Sequence, residues 1–258
     1  MLPAPADPPA LLEAAYGPTW RVPDPSFKFR SPRSTRRRMF GWCGGLRNRR
    51  DYWSSFYGGP ESERVPDEPS QFAAWVAERD DAATTLVDLG CGNGRDSLWF
   101  ARSGRSVLGV DFAPPALREA KGKAKKDGLD ARFEVFNLYD LRHALVLGAR
   151  LAHSGPCSVY ARFLPHAVED DARHNLWRVA QMALARGGRM FLEFRVEGGQ
   201  PREYAFGDHW RNPLRPEVVA EELARYGGHV VERVEGRGLA PFEGEDPLIC
   251  RLVVEWNR

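Results

Sequence analysis

The residues of this chain best able to do chemistry are two acids that flank a glycine-rich turn. The short apolar segment Thr84–Leu89 carries Asp88 near its end and runs into the turn GCGNG at residues 90–94. One strand later, the apolar segment that starts at Ser106 ends in Asp111. Such a turn lets backbone N–H groups and a helix N-terminus approach a ligand, and an acid after the second strand can accept both hydroxyls of a ribose. The pattern predicts a nucleotide-binding β-α-β unit, with a purely structural turn as the alternative.

The stretch DLGCGNGRDSLWFA (residues 88–101), followed by GVDFA (residues 109–113), resembles motifs I and II of the class I S-adenosylmethionine (SAM) methyltransferases. A dinucleotide site fits less well, because the turn is G-x-G-x-G and continues into Arg95-Asp96. The resemblance implies SAM as the cofactor, with Asp88 near its methionine amino group, Asp111 on its ribose and the glycines, including Gly94, close to it. The expected cofactor-binding residues are Asp88, Gly90, Cys91, Gly92, Asn93, Arg95, Asp96, Asp111, Phe112, Asn137, Leu138 and Tyr160.

The composition argues against several other classes of protein. With 258 residues, 43% of them hydrophobic, the chain can bury an ordinary core. No apolar stretch is long enough to predict a membrane span, and residues 1–10 lack the basic and apolar regions of a secretory signal. The four cysteines, at positions 43, 91, 157 and 250, have neither metal-ligand nor disulfide-framework spacing. We therefore expect a cytoplasmic protein with no metal site, in which Cys91 serves packing.

Positive charge is concentrated near the N-terminus. The formal net charge is +2, yet residues 26–50 hold nine Lys or Arg and no acid, so the rest of the chain carries −7. We expect residues 1–50 to form an irregular Pro/Arg/aromatic-rich arm and residues 51–258 to form the methyltransferase domain. The arm could bind nucleic acid, although an arm without a partner is favoured. Its segment YGPTWRVPDPSFKF (residues 16–29) resembles the tail of LicD-type (fukutin-like) phosphotransferase domains, which modify cell-surface glycans.

Beyond residue 50, predicted strands and helices alternate. The predicted strands are Thr84–Leu89, Ser106–Asp111, Ala131–Asn137, Ser158–Phe163, Gly188–Arg195, His229–Glu235 and Ile249–Asn257. The predicted helices are Asp51–Tyr57, Gln71–Asp80 (with Ser70 as N-cap), Asp96–Ser103, Pro114–Asp127, Ala167–Arg186 and Pro216–Tyr226. This alternation predicts an α/β fold, a Rossmann-like doubly wound seven-stranded sheet. Because only a loop joins the last two strands, we expect a C-terminal antiparallel hairpin, which the resemblance also implies.

Ligands of such a sheet bind beyond the carboxyl ends of its strands, so the residues that follow strands are candidates for the site. Asn137 and Leu138 are expected to contact adenine. His166 is a candidate general base near neutral pH, with a surface or capping histidine as the alternative. Arginines there would suit the oxygens of an anionic acceptor, or would be solvated surface residues. The predicted catalytic set is His166, Arg162, Arg195, His209, Arg211 and Arg237.

The segments VYARFLPHAV, LEFR, DHWR and EGRGLAPFEGEDPLICR resemble a bacterial subgroup of these methyltransferases that is associated with glycan or capsule loci. The sequence departs from that subgroup at Pro165, where Phe or Leu is usual, and at Asn212, where a second Arg is usual. We predict SAM-dependent O-methylation of an anionic small molecule or a glycan-linked acceptor such as a sugar phosphate.

Two alternatives remain open. GCGNGRDSL also resembles tellurite-resistance and thiopurine-type enzymes, which predicts a detoxifying thiol or metalloid methyltransferase. The second alternative is not an enzyme: the chain would be a SAM-binding module that uses its basic arm to bind nucleic acid or a partner. Methylation of a base or amide nitrogen is not favoured, because no Asn-Pro-Pro-Tyr-type motif follows the fourth strand.

Overall fold

The computed structural model describes residues 7–22, 44–80, 85–199, 204–207 and 209–256. The chain divides into two compact units, Met1–Gly44 and Gly45–Arg258. In the first unit, helix α1 (Pro8–Tyr16) begins at Asp7, whose side chain accepts the N–H of Ala10. The sequence analysis did not predict this helix; prolines in its first turn are compatible with it because those N–H groups would be unpaired in any case. Most of the basic segment and half of the LicD-like segment lie outside the described residues.

A seven-stranded sheet forms the centre of the second unit. Its strands are β1 (Thr85–Leu89), β2 (Ser106–Asp111), β3 (Ala131–Val135), β4 (Ser158–Arg162), β5 (Arg189–Arg195), β6 (Gly228–Gly236) and β7 (Ile249–Trp256). They lie in the order β3-β2-β1-β4-β5-β7-β6. The first five are parallel, and β7 is antiparallel to both β5 and β6. The predicted α/β sheet and its terminal hairpin are thus confirmed.

Seven further helices accompany the sheet in the described residues. They are α2 (Gly44–Gly58), α3 (Gln71–Ala77), α4 (Arg95–Arg102), α5 (Pro114–Asp127), α6 (Leu141–His153), α7 (Asp170–Ala183) and α8 (Pro216–Arg225). The N-cap predicted for α3 is present, since Ser70 Oγ accepts the N–H of Ala73 at 3.0 Å. Helix α2 begins seven residues before the predicted start, and α6 was not predicted. None of the described helices is both long and apolar enough to cross a bilayer.

The two faces of the sheet bury different sets of side chains. Along β1, Leu86 packs with Phe72 of α3 and Phe100 of α4, whereas the next residue, Val87, belongs to a cluster that includes Trp177 of α7. This alternation follows from the two-residue period of a strand. Helices therefore cover both faces, which leaves the carboxyl-end edge of the parallel strands open for a ligand.

Candidate active site

A cavity of about 410 Å³ lies at the carboxyl-end edge of β1, β2, β3 and β4. Residues that end or follow these strands form its floor. Its walls come from three segments: residues 53–72, the loop residues 206, 209 and 211, and residues 239–245 between β6 and β7. This volume lies in the range of small-molecule sites, about 300–1,000 Å³. The enclosed edge is the place where the sequence predicts a nucleotide cofactor.

The glycine-rich turn is held in a conformation that other residues adopt with difficulty. Gly92 has φ +55°, and a Cβ added there would lie 2.3 Å from the hydroxyl oxygen of Tyr57. Gly94 has φ +78° at the N-cap of α4, and its added Cβ would lie 2.8 Å from Cβ of Ala120. Positive φ and the absence of a side chain are both required at these positions. The turn is therefore packed closely against Tyr57 and Ala120, while its residues Gly90, Cys91 and Asn93 line the cavity.

Asp88 sits at the end of β1, buried beneath the turn. Its Oδ2 accepts the hydroxyl of Ser97 at 2.6 Å. Burial raises the pKa of Asp88 to about 8; the neighbouring Asp96 and Asp111 charges add to this, and the Ser97 hydrogen bond and Arg162 oppose it. A cationic partner would lower the pKa of such a buried carboxyl, because a positive charge favours its ionised form. The ammonium group of an amino-acid cofactor such as SAM would be such a partner.

Asp111 ends β2 and ties the turn to the second strand. Its Oδ2 accepts the N–H of Gly92 at 3.0 Å, and its Oδ1 accepts the N–H of Ala113 at 2.9 Å. Burial raises its pKa, and the hydrogen bonds from the backbone N–H groups of Ala113, Gly92 and Phe112 oppose that rise. Each carboxylate oxygen retains acceptor capacity beyond these bonds, so Asp111 can both fix the turn and take a ribose hydroxyl.

Asp96, at the start of α4, accepts hydrogen bonds from two other segments. Its Oδ1 accepts the backbone N–H of Ser70 at 2.7 Å, and its Oδ2 accepts the hydroxyls of Ser70 at 2.8 Å and Tyr160 at 2.7 Å. These bonds join α3, α4 and β4 beneath the cavity. Asp96 and Tyr160 do line the cavity, but these hydrogen bonds already occupy their polar atoms within the protein.

The cavity collects nearly all of the residues predicted for the cofactor. Of these, Gly92 alone is not part of the lining, because Tyr57 covers it. At the end of β3, Asn137 Oδ1 accepts the N–H of Tyr139 at 3.0 Å, and the carbonyl of Leu138 accepts the side-chain amide of Asn175. Both residues are thereby fixed at the cavity wall. Their contact with adenine stays a prediction.

Five of the six residues predicted for catalysis line the same cavity. They are Arg162, His166, Arg195, His209 and Arg211. Arg237 does not: its guanidinium donates to the backbone carbonyl of Asp246 at the surface, in the loop after β6. We therefore remove Arg237 from the candidate set. The position of Arg237 at the amino end of that loop, rather than beyond a parallel strand, accounts for the difference.

Buried ion pairs fix two of the arginines. Arg162 Nε donates to Glu193 Oε1 at 3.0 Å, and Arg251 Nε donates to Glu193 Oε2 at 2.8 Å, so one fully buried glutamate serves two guanidinium groups. Arg195 forms an ion pair with Glu245, whose Oε2 accepts the N–H of Ala205.

Among the described residues, Arg211 donates to the backbone carbonyls of His209 and Gly207. We call the group Arg162, Arg195, Arg211, Arg251, Glu193 and Glu245 the acceptor-side cluster. Arg251 is not part of the cavity lining, so three arginines of the cluster line the cavity with two glutamates and leave an excess of positive charge. The remaining acids of the cavity lining are Asp88, Asp96 and Asp111 on the cofactor side, and the exposed Glu68.

His166 is buried with its Nδ1 accepting the backbone N–H of Arg195 at 3.2 Å. Burial lowers its pKa well below the usual range, and the charges of Arg195 and Arg211 lower it further. The ring is therefore neutral, with its proton on Nε2. This arrangement contradicts the expectation that His166 is a general base, because the one lone pair of the neutral ring is already occupied. His166 can instead donate a hydrogen bond.

His209 belongs to an aromatic group supplied by α2. Its Nδ1 lies 2.9 Å from the hydroxyl of Tyr52, and the two rings stack with centroids 4.6 Å apart. Burial, followed by the charge of Arg211, lowers the pKa of His209 to about 3. His209 is therefore neutral across the physiological range and is a weak base.

Sequence reasoning missed several residues of the cavity. Phe163, directly after β4, has φ +57°, and its ring lies under the guanidinium of Arg162 at 4.4 Å. Tyr57 covers Gly92, and Glu193 and Glu245 anchor the arginines. Tyr57 ends a predicted helix, and Phe163 and Glu193 lie at the ends of predicted strands. Their roles, and the position of Glu245, depend on partners far away in the sequence. Within the described residues, no group of three or more His, Cys, Asp or Glu side chains is arranged to hold a metal ion.

The strand order, the glycine turn and the acids that end β1 and β2 together define a Rossmann-like methyltransferase fold. Comparison with known proteins agrees. Residues 86–188 match the family described as a methyltransferase domain. A solved SAM-dependent methyltransferase from Anabaena variabilis superposes with a TM-score of 0.62 at 18% identity, over 81% of this chain and 93% of that one. That likeness concerns the fold.

Two curated relatives are similar in sequence. A 2-heptyl-1-hydroxyquinolin-4(1H)-one methyltransferase of Mycobacteroides abscessus is 30% identical over 122 residues, which cover 42% of this chain and 54% of the relative. An uncharacterized methyltransferase of Emericella nidulans is 41% identical over 181 residues, which cover 66% of this chain and 62% of the relative. The chain thus spans less than two thirds of either relative. Its residues 86–188 match a methyltransferase domain, and the solved neighbour that shares the fold is a SAM-dependent methyltransferase.

Proposed function

We propose that this chain transfers the methyl group of SAM to an oxygen of a small anionic acceptor. The observation that carries the proposal is that one cavity contains two sets of residues. The first is the glycine turn with Asp88 and Asp111, and the second is three arginines of the acceptor-side cluster, Arg162, Arg195 and Arg211, with Glu193 and Glu245. Guanidinium groups suit carboxylate and phosphate oxygens because they offer forked, permanently charged donors.

The residues present fit SAM. Gly90 of the turn lines the cavity with a positive φ, and Asp88 is a buried acid whose raised pKa a cationic amino group would lower. SAM, when bound, supplies a methyl group activated by a sulfonium. The acceptor oxygen forms the new bond to carbon while the carbon–sulfur bond breaks, which leaves S-adenosylhomocysteine.

The chain's own contribution is alignment and electrostatics. Holding the two reactants in line can account for about 7–11 kcal/mol of barrier in favourable cases. The arginines bind the acceptor and favour its ionised form, at some loss of nucleophilicity. Both cavity histidines have lowered pKa values, so an acceptor that is already ionised suits this site better than a sugar hydroxyl that needs a base.

Two classes of anion would fit as the methyl acceptor. A sugar phosphate or glycan end group is one candidate, and an acidic hydroxyl on a ring is another. The name of the Mycobacteroides relative gives a ring-bound hydroxyl compound as its substrate, which supports the second. A thiol or metalloid acceptor would make no use of the arginines. The nucleic-acid alternative depends on the basic arm, most of which lies outside the described residues, and stays a prediction together with the cytoplasmic location.

The test is methyl transfer from isotope-labelled SAM with the full chain. The acceptors are offered as charged and neutral pairs: sugars with and without phosphate, hydroxybenzoates and their methyl esters, and simple thiols. We expect label on the anionic member of a pair. Equal or faster labelling of the neutral member, or of thiols, would overturn the anionic assignment. Arg195→Gln should reduce labelling at least tenfold, and Arg142→Gln, on the exposed face of α6, should leave it unchanged.

A further inference from the structure

The cavity walls are unusually rich in aromatic rings. Rings from α2, from the segment after β4 and from the two covering loops all line it: Trp53, Phe56, Tyr57, Phe163, Phe206 and Phe242. Phe206 stacks on Phe242 with centroids 5.2 Å apart and meets Phe56 edge to face at 5.1 Å. Aromatic rings prefer such offset or edge-on partners. The walls therefore offer a planar apolar ligand several complementary surfaces.

Arg195 is the polar group that these rings leave unsatisfied. It is 7% exposed and lines the cavity. Its Nη1 is ion-paired with Glu245, whereas its Nε has no hydrogen-bond partner among the described residues. A buried donor without an acceptor is destabilising by about 1–3 kcal/mol, and more when charged. An anionic ligand in the cavity would remove that penalty.

Phe163 has a strained backbone conformation, and its ring lies beside the guanidinium of Arg195. Its φ of +57° lies in the left-handed region, which is unfavourable for a bulky residue. The ring lies 5.5 Å from the Arg195 guanidinium and meets the His166 ring edge to face at 5.4 Å. Strained residues persist where the surroundings over-determine them, and they cluster at functional sites. The left-handed backbone conformation of Phe163 thus holds its ring beside the guanidinium of Arg195.

We propose that the acceptor is a planar aromatic anion whose acidic group pairs with the Arg195 guanidinium and whose ring packs among Phe163, Phe206 and Phe242. The inference rests on the proposed function and narrows its acceptor class. A sugar phosphate would satisfy the charge of Arg195 but would leave most of the ring surfaces without a planar partner. The combination of a buried guanidinium whose Nε has no partner among the described residues with aromatic walls favours the aromatic acid.

The experiment is calorimetric titration of the full chain, saturated with S-adenosylhomocysteine, by four probes. Benzoate has both features, cyclohexanecarboxylate lacks the aromatic ring, benzamide lacks the charge, and glucose 6-phosphate has charge without a planar ring. We expect benzoate to bind about tenfold or more tighter than benzamide, the scale of one hydrogen bond to a charged group. We also expect it to bind about threefold tighter than cyclohexanecarboxylate, the scale of a ring–ring contact.

Two results would overturn the inference. One is glucose 6-phosphate binding as tightly as benzoate, which would indicate a phosphate site; the other is no binding of benzoate although S-adenosylhomocysteine binds. If S-adenosylhomocysteine itself fails to bind, the proposed function fails as well, so the two failures are distinguishable. Arg195→Gln should reduce the preference for benzoate over benzamide to less than about threefold, with Arg142→Gln as the control. If Arg195→Gln does not fold, the four-probe comparison on the natural chain still decides.

Discussion

The backbone N–H of Arg195 donates to Nδ1 of His166 across 3.2 Å, in the interior of the cavity wall. This bond sets the tautomer of His166, since the neutral ring must then carry its proton on Nε2. The histidine that the sequence suggests as a base is thus fixed as a donor. The bond joins the segment after β4 to the end of β5, where the side chain of Arg195 lines the cavity.

His166 is therefore expected not to titrate in the working pH range. Burial lowers its pKa, and the facing charges of Arg195, Arg211 and Arg162, together with His209, lower it further. A base with an ordinary histidine pKa would lose activity as pH falls through about 6.5, whereas His166 stays neutral there. The pH profile of kcat/KM from pH 5 to 9, measured with an acceptor ionised throughout, should show no acid limb between pH 6 and 7. An acid limb in that interval that disappears in His166→Gln would contradict this assignment.

Asp88 is expected to make cofactor binding depend on pH. Its pKa of about 8 in the free protein means that it is largely protonated at pH 6.5, where it cannot pair with an ammonium group. The affinity for S-adenosylhomocysteine should therefore rise at least tenfold from pH 6.5 to 8.5 and then level off. Titration calorimetry across this range measures it. Asp88→Asn should lose the pH dependence, and Asp127→Asn, at the surface, should keep it; an unchanged slope in Asp88→Asn would show that another group titrates.

The raised pKa of Asp88 should also make the free energy of unfolding depend on pH. The folded state holds the Asp88 proton up to about pH 8, and the unfolded state releases it near 3.8. Stability contributed by this group is therefore present at low pH and lost as pH rises toward 8. At pH 9, Asp88→Asn should melt at a higher temperature than the natural protein, while at pH 4 the two should agree closely. Calorimetric melting at both values is the measurement, and a lower melting temperature for the variant at pH 9 would refute the sign.

Gly92 and Gly104 form a matched pair for testing the glycine turn. Both have positive φ, but an added Cβ meets Tyr57 at Gly92 and nothing within 4 Å at Gly104. Gly104→Ala should destabilise the protein by about 1–2 kcal/mol, the strain of a left-handed residue, and leave S-adenosylhomocysteine binding unchanged. Gly92→Ala should weaken that binding at least tenfold. Equal effects of the two substitutions on binding would mean that the close approach at Gly92 has no role.

Asp96 tests whether a predicted cofactor residue is structural. It accepts three hydrogen bonds from Ser70 and Tyr160, so Asp96→Ala should reduce the free energy of unfolding by about 3 kcal/mol or more. Tyr160→Phe, which removes one of these bonds, should cost about 1–2 kcal/mol. Urea unfolding gives both values. A loss of S-adenosylhomocysteine affinity in Asp96→Ala with unfolding unchanged would instead assign Asp96 to the cofactor.

The sequence predicts the sheet well because each strand carries its own signal. Apolar runs bounded by glycines and acids place β1 and β2 within a residue of their observed limits, and the loop between the last two strands requires the hairpin. Helix α6 was missed although its buried face, Ala144, Leu147 and Leu151, has helical spacing and Asp140 caps it. A Cβ added at Gly148 of this helix would lie 2.7 Å from Met182 Sδ, so the glycine serves the close packing of α6 on α7.

The acceptor side was predicted only in part, for a physical reason. Arg162 and Arg195 could be found because they end adjacent parallel strands. Their partners could not: Glu193 pairs with Arg251 at a separation of 58 residues, and Glu245 reaches Arg195 from the loop before β7. Such pairs are set by tertiary packing and leave no local pattern. The tautomer of His166 likewise depends on a backbone N–H 29 residues away.

The central claim is that the glycine turn, Asp88 and Asp111 form a SAM site. The most direct measurement is calorimetric titration of the full chain with S-adenosylhomocysteine at pH 8.5, beside Asp111→Ala and the surface control Arg142→Gln. We predict saturable binding of one ligand per chain, at least tenfold weaker in Asp111→Ala and unchanged in Arg142→Gln. Absence of binding to the natural chain, or binding that Asp111→Ala leaves intact, would contradict it.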